Sequence, residues 1–188
     1  MRLRIQARMN CIGRLVALPL FTTVFAAHSQ QVAVPARIEL RQAWHIQSSA
    51  KVTAGGGAIS TAGYGPEGWY AAQVPTTVLA ALVAHKVYPD PYFGMNLRSI
   101  PGSDSYAIAA NFARIDMRDD SPFKVAWWYR TEFRLPAASR GSHVALHFDG
   151  INYRATVWLN GRRIATPADI AGAYRLYEFD VTALVKPG

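Results

Sequence analysis

From Phe123 onward, apolar and polar residues alternate with a period of two, the spacing that sends successive side chains to opposite faces of a strand. Trp127, Tyr129, Thr131 and Phe133 make a mainly apolar row against Trp128, Arg130, Glu132 and Arg134, until Pro136 ends the run. Val144, Leu146 and Phe148 form the next row, expected to be buried. Tyr153, Ala155, Val157 and Leu159 then face one way, with Arg154, Thr156 and Trp158 on the other side. Asn160-Gly161 supplies the two positive-φ residues of a tight hairpin, and Arg162 to Ala165 reads as the return strand. A last alternating stretch runs from Leu176 to Val181.

Upstream the pattern is weaker. Ile38 to Ile46 predicts a first strand, or a strand preceded by a turn. Ser48 to Gly68 carries Gly55-Gly56-Gly57, Gly63, Gly65 and Pro66, a composition that predicts a hairpin or surface loop. It lacks the Lys-Ser/Thr or dinucleotide spacing that would make the glycines a phosphate cradle. Thr76 and Thr77 stand before Val78 to Ala84, whose helical spacing predicts a short capped helix, the one helix expected beyond the N-terminal region. Val87 to Gly102 places prolines on both sides of Asp90 among aromatic residues, which predicts a constrained turn. It is too apolar for an ordinary solvated loop, so it either seals a core or presents aromatics to a partner. Several antiparallel strands, long connections and one short helix together predict an all-β chain built as a sandwich.

Charge changes this picture mainly at the N-terminus. The 188 residues carry a formal net charge of +8, but Arg2, Arg4, Arg8 and Arg14 all precede the apolar run Leu15 to Ala27, and the first acid is Glu39. A basic start, a short apolar run and small residues at Ala26-Ala27 have the form of a signal peptide, so residues 1–27 are expected to be cleaved at export to the periplasm or the exterior. The alternative, a membrane anchor, needs roughly 20 apolar residues, and this run is shorter and contains Pro19. Residues 28–37 are then expected to form a flexible segment and 38–188 one domain, with a net charge of +4 over residues 28–188. Basic residues scattered among acids leave no nucleic-acid footprint. The only cysteine, Cys11, falls in the leader, so neither a disulfide nor a thiolate metal site is expected in the exported chain.

Candidate chemistry is sparse. Glycoside hydrolysis needs two carboxyl groups held a few ångströms apart. Asp90 between prolines and Asp149 in Phe148-Asp149-Gly150 are the least ordinary acids, yet both read more readily as turn residues. Glu178 and Asp180 share a strand face and read as surface acids. His45 and His85 are isolated, and His143 and His147 share a face without being neighbours, so no metal site, no cofactor site and no nucleophile triad is expected. Trp127, Trp128 and Trp158 could stack on sugar rings or be covered by a neighbouring domain, which is the favoured expectation because exposed aromatics promote association.

One ordered series of motifs adds a resemblance. Trp44 to Ser49, Val74-Pro75-Thr76-Thr77-Val78, Pro89-Asp90-Pro91-Tyr92-Phe93-Gly94 with Asn96-Leu97, Trp127-Trp128-Tyr129-Arg130, Phe148-Asp149-Gly150 and Val157-Trp158-Leu159-Asn160-Gly161 together resemble the N-terminal domain of glycoside hydrolase family 2. The similarity is to the branch of exo-β-D-glucosaminidases and β-mannosidases, also through Gly172-Ala173-Tyr174-Arg175 and Phe179-Asp180-Val181-Thr182. The resemblance implies a jelly-roll, galactose-binding-like domain over residues 38–188, followed in such enzymes by immunoglobulin-like domains and a TIM barrel. It implies that the paired catalytic glutamates lie in the barrel, where no segment of this chain matches, so the chain alone is expected to be non-catalytic. It also implies that Asp90, Tyr92, Asn96, Trp127, Trp128 and Trp158 are pocket-rim or interdomain residues, and that Asp149, Gly150, Asn160 and Gly161 fix turns. The implied substrate is a β-linked glucosaminide or mannoside. An independent β-glycan-binding module is the alternative function.

Overall fold

The computed structural model describes residues 3–8, 37–102 and 117–188. Within them the period-two segments form antiparallel strands. One sheet contains β1 (Leu3–Arg8), β2 (Arg37–Glu39), β6 (His143–Phe148) and β9 (Tyr177–Asp180), in the order β2-β1-β6-β9. A second contains β3 (Trp44–Ser48), β4 (Tyr70–Ala72) and β5 (Trp127–Arg130), in the order β4-β3-β5. The hairpin of β7 (Val157–Leu159) and β8 (Arg162–Ala165) forms the third. All three contribute to one core, where Trp44 meets Val144, Leu146, Phe148, Tyr177, Leu159 and Ala165. This is an all-β sandwich.

The alternation is clearest in β6. Val144, Leu146 and Phe148 are all but completely buried, and removing each such side chain from water contributes roughly 1.5–3 kcal/mol. On the opposite face His143 and His147 pair with Asp180 and Glu178 of β9. At the β7–β8 turn Asn160 and Gly161 adopt φ 47° and 80°, so a two-residue loop closes the hairpin.

Among the described residues the single α-helix of more than about one turn, α2 (Val78–Ala84), begins at Thr77, whose hydroxyl accepts from the Ala80 amide at 3.1 Å, while Ala81 and Leu82 face inward. Thr77→Ala is expected to cost about 1 kcal/mol, the usual worth of such a cap. A shifted urea midpoint at unchanged m-value would show it.

Three expectations need correction. The triple glycine is not a hairpin or loop but a helical turn, α1 (Gly56–Ile59), because Gly56 lies against the Trp158 ring where any side chain would collide. The run predicted to Arg134 leaves the ladder after Arg130. The ladder with β3 ends at His45↔Arg130, beside the turn at Ala43 with φ 58° that opens β3, and there the Thr131 hydroxyl donates to the Ala43 carbonyl at 3.0 Å. The strand expected from Tyr153 starts only at Val157, since β8 offers four residues for pairing and Arg154 bridges instead to Ala171.

The first predicted strand resolves into β2 and β3, separated by the turn at Leu40 to Ala43. β1 falls inside the stretch expected as leader and lies between β2 and β6. The apolar run Leu15 to Ala27, Cys11 and the segment 28–36 lie outside the described residues. Among the described residues no helix is long and apolar enough to cross a membrane.

Candidate functional site

The proline-flanked turn organises itself around Asp90. Its carboxylate accepts from the Tyr92 amide at 2.9 Å, and its carbonyl accepts from the Phe93 amide at 3.2 Å and from the Asn96 side-chain amide at 3.0 Å. Asp90 and Asn96 therefore brace the loop from within, as Asx-type residues do. With the polar groups turned inward, the apolar side chains point out: Tyr92 is 97% exposed, Phe93 75% and Met95 61%. The loop shares a turn with the second sheet. Tyr88 packs on Phe123 with ring centroids 6.0 Å apart, and the Trp127 indole donates to the Pro122 carbonyl at 2.9 Å. Tyr129 of β5 donates to the Thr76 carbonyl at 3.3 Å and so ties the entry of α2 to the sheet. Tyr88, just before the loop, and Trp127 thus both meet the Pro122–Phe123 turn, and Trp128, next in the strand, is half-buried.

Trp158 lies elsewhere. Its half-buried ring sits beneath Gly56, and Arg163 stacks on it at 5.8 Å. The α1 turn over it is held from β5 by Arg130, whose guanidinium is buried and donates to the carbonyls of Ile59 at 2.9 Å and Thr61 at 3.2 Å. Arg130 also pairs with Glu132 and lies over the Tyr64 ring. Ser60 joins the turn to the hairpin by accepting from the Gly161 amide at 3.0 Å, and Asn160 donates to the Leu184 carbonyl at 2.7 Å. Asp149 and Gly150 stand directly after β6, at the start of its connection to β7.

A second exposed surface was not anticipated. Tyr174 and Leu176 are 101% and 74% exposed, and Tyr153 is also exposed. Their two loops are joined by the Gly172 amide donating to the Tyr153 carbonyl at 2.9 Å and by the Arg154–Ala171 bridge, and Arg175 and Tyr177 brace the second loop by donating to the Ala171 carbonyl. Gly150 and Gly172 marked these loops in the sequence, but reading alternation back to Tyr153 placed that ring inside a strand.

The acids here favour ionised, structural roles. Glu132 is held below the ordinary glutamate value by the Arg130 hydrogen bond and by the Gly63 amide. Asp180 is lowered by hydrogen bonds from Thr182 and then by His143, Asp169 by Thr166, and Asp120 by Arg118. Every displaced carboxyl among the described residues moves downward, whereas a general acid in glycoside hydrolysis needs a raised value. A carboxyl lowered by folding contributes stability above its unfolded pKa and loses it as pH falls through its folded value. Thermal midpoints are therefore expected to fall on acidification from about pH 5 to about pH 3, and Glu132→Gln is expected to flatten that dependence. An equal slope in the variant, in melts recorded across that range, would remove Glu132 from the explanation. No cluster of three metal-ligating side chains occurs among the described residues.

Comparison with known proteins gives a consistent set of relatives. A family model described as glycosyl hydrolase 2 galactose-binding domain-like matches residues 111–188. An exo-β-D-glucosaminidase of Streptomyces avermitilis is 42% identical over 143 residues, covering 76% of this chain and 14% of the relative. The exo-β-D-glucosaminidase of Amycolatopsis orientalis is 32% identical over 176 residues, covering 94% of this chain and again 14% of the relative. The crystal structure of the Amycolatopsis orientalis exo-chitosanase superposes with a TM-score of 0.62 at 32% identity, over 78% of this chain and 15% of that one. The chain thus spans about one seventh of the length of these relatives.

Proposed function

This chain carries a galactose-binding-like domain homologous to the N-terminal domain of family 2 exo-β-D-glucosaminidases and mannosidases, and on that premise we propose that it is the non-catalytic front domain of an exported exo-glycosidase acting on β-linked glucosaminides. The observation that carries the reading is the match along 94% of this chain to 14% of an exo-β-D-glucosaminidase. Glucosaminide is preferred to mannoside because exo-β-D-glucosaminidases match 76% and 94% of the chain at 42% and 32% identity, while a mannosylglycoprotein endo-β-mannosidase of Lilium longiflorum matches 63% of the chain at 32% identity.

The sandwich lacks the eight parallel strands and alternating helices on which a TIM barrel builds its active site. Catalysis is accordingly assigned to polypeptide outside this domain, in a barrel reached through immunoglobulin-like domains. Within that arrangement the internally hydrogen-bonded Asp90 to Leu97 loop and Trp127 serve as an interdomain or pocket-rim surface. Tyr92, Phe93 and Met95 are apolar groups that a neighbouring domain would cover.

The purified, folded chain is expected to show no turnover of aryl β-glucosaminide or aryl β-mannoside. Hydrolysis that co-purifies and co-melts with the folded protein would overturn the assignment. The solvent-facing aromatics also favour a second reading, an independent β-glycan-binding module. Calorimetric titration with chitosan and manno-oligosaccharides gives saturable heat on that reading and none on the first.

A further inference from the structure

The alternation of residues 127–135 outlasts its ladder. β5 stops pairing with β3 at Arg130, yet burial goes on alternating beyond it: Glu132 and Arg134 are exposed, Phe133 packs against the core, and Leu135 lies inside it. A segment whose side chains are sorted as in a strand still has backbone groups to satisfy. Their direction follows from the existing ladder. The Ser49 amide donates to the Ala126 carbonyl at 2.9 Å, in register with the β3–β5 pairs, so Ala126, Trp128 and Arg130 turn their N–H and C=O groups toward β3. Trp127 and Tyr129, and by the same period Thr131, Phe133 and Leu135, turn theirs the other way. β5 is the last strand of its sheet on that side, so among the described residues the edge from Trp127 to Leu135 faces no strand. It contains no proline and no lysine to guard it, and its aromatic residues and threonine favour pairing.

The Gly188 amide reaches this edge. It donates to the Leu135 carbonyl at 3.2 Å, so the chain arrives at a residue of the outward set, at one end of the row. Leu184 and Val185 pack against the core just before it, which fixes the approach. From there only an antiparallel course lies along the edge, because a parallel one would leave it at once, past Pro136 and the short turn Ala137–Ser139.

We propose that the outer edge of residues 127–135 is a strand-acceptor site, and that its occupant is the polypeptide immediately following Gly188, running antiparallel from Leu135 toward Trp127. This rests on the front-domain reading above, which supplies that polypeptide. With Gly188 opposite Leu135, the second, fourth, sixth and eighth residues after it stand opposite Phe133, Thr131, Tyr129 and Trp127, on the face where Tyr129 and Phe133 meet the core. The residues between them stand opposite Arg134, Glu132, Arg130 and Trp128. The donor is therefore apolar at even places and polar at odd ones. Joined directly to Gly188, it has an effective concentration of the order of millimolar or above, which outcompetes a second copy at micromolar protein.

The test extends the full 188-residue chain by Ser-Val-Lys-Val-Thr-Val-Thr-Val directly after Gly188 and follows residue-resolved amide exchange. The readout is the exchange rate of Tyr129, Thr131 and Phe133 relative to that of Trp128 and Arg130, whose amides face β3. That ratio is expected to fall about tenfold or more in the extended chain, at every protein concentration. The same residues in block order, Val-Val-Val-Val-Ser-Lys-Thr-Thr, are expected to leave it unchanged. An unchanged ratio with the alternating extension, or an equal fall with the block order, would overturn the proposal. So would a ratio already near one in the unextended chain, because another segment would then hold the edge, or a second copy if the ratio depends on protein concentration. Should the unextended chain not stay folded alone, a near-ultraviolet tryptophan signal that appears with the alternating extension and not with the block order supports the site, and equal signals overturn it. The coding sequence after Gly188 tests the front-domain reading separately. A barrel encoded downstream upholds that reading whatever the exchange shows. Its absence overturns the reading and the occupant named here, while the exchange ratio still judges the edge.

Discussion

Arg130→Ala is expected to destabilise the folded chain by about 3–5 kcal/mol, which for a domain of this size lowers the melting midpoint by about 10 °C. The magnitude follows from what the guanidinium holds. It is buried, and its Nε and Nη2 donate to the Ile59 and Thr61 carbonyls, so its loss leaves two carbonyls behind without a charged donor. Each such hydrogen bond contributes about 1.5–3 kcal/mol. Glu132 adds little because its side chain is half exposed, which screens the pair. Arg130→Lys keeps the charge, but a single ammonium cannot reproduce the guanidinium's fork, so it is expected to recover less than half of the loss. A urea midpoint for Arg130→Ala within 1 kcal/mol of the parent would mean that water replaces the guanidinium, and that α1 does not depend on β5.

Gly56→Ala is expected to be the next most damaging change, at about 2–3 kcal/mol, although alanine is ordinarily the better helix former. A Cβ there would lie 2.5 Å from Trp158 Cε2 and 2.7 Å from Cδ1, so either the indole or the α1 turn must move. The neighbouring glycines are internal controls. A Cβ at Gly55 meets nothing within 4 Å, and one at Gly57 comes no closer than 3.5 Å, to the Gly161 carbonyl. Gly55→Ala and Gly57→Ala are therefore expected to stay within about 0.5 kcal/mol of the parent. Equal stability for all three variants in parallel melts would dissolve the account of the triple glycine. Because Arg130 grips Ile59 in the same turn, Gly56→Ala and Arg130→Ala should fall short of additivity by about 1 kcal/mol.

These two residues mark where the sequence stopped being readable. Arg130 sat in the mixed row of an alternating strand, which normally faces water, and nothing local announced that its head would reach two carbonyls some seventy residues earlier. The triple glycine looked like loop composition because glycine lowers helix propensity, and its cause, the Trp158 ring, lies about a hundred residues away. The loop at Asp90 was legible as a constrained turn, since Asp and Asn bond to a backbone only a few residues off. Its outward display of Tyr92 and Phe93 follows from the same bonds. The exposure of Tyr153 is not legible because alternation carries no information on where a strand stops pairing.

What the sequence determined by itself was whatever depends on near neighbours. The buried row of β6, the cap and extent of α2, the Asn160-Gly161 turn and the return strand Arg162–Ala165 follow from period, capping chemistry and positive-φ tolerance, which act within a few residues. Tertiary structure alone decided that Trp158 is roofed by glycine, that Arg130 is an internal strut, that β5 ends beside the turn that opens β3, and that Leu3–Arg8 lies between β2 and β6. Each of these depends on which distant segment arrives alongside. In a sandwich of short antiparallel strands that choice rests on the whole core, and it leaves no local periodicity to read.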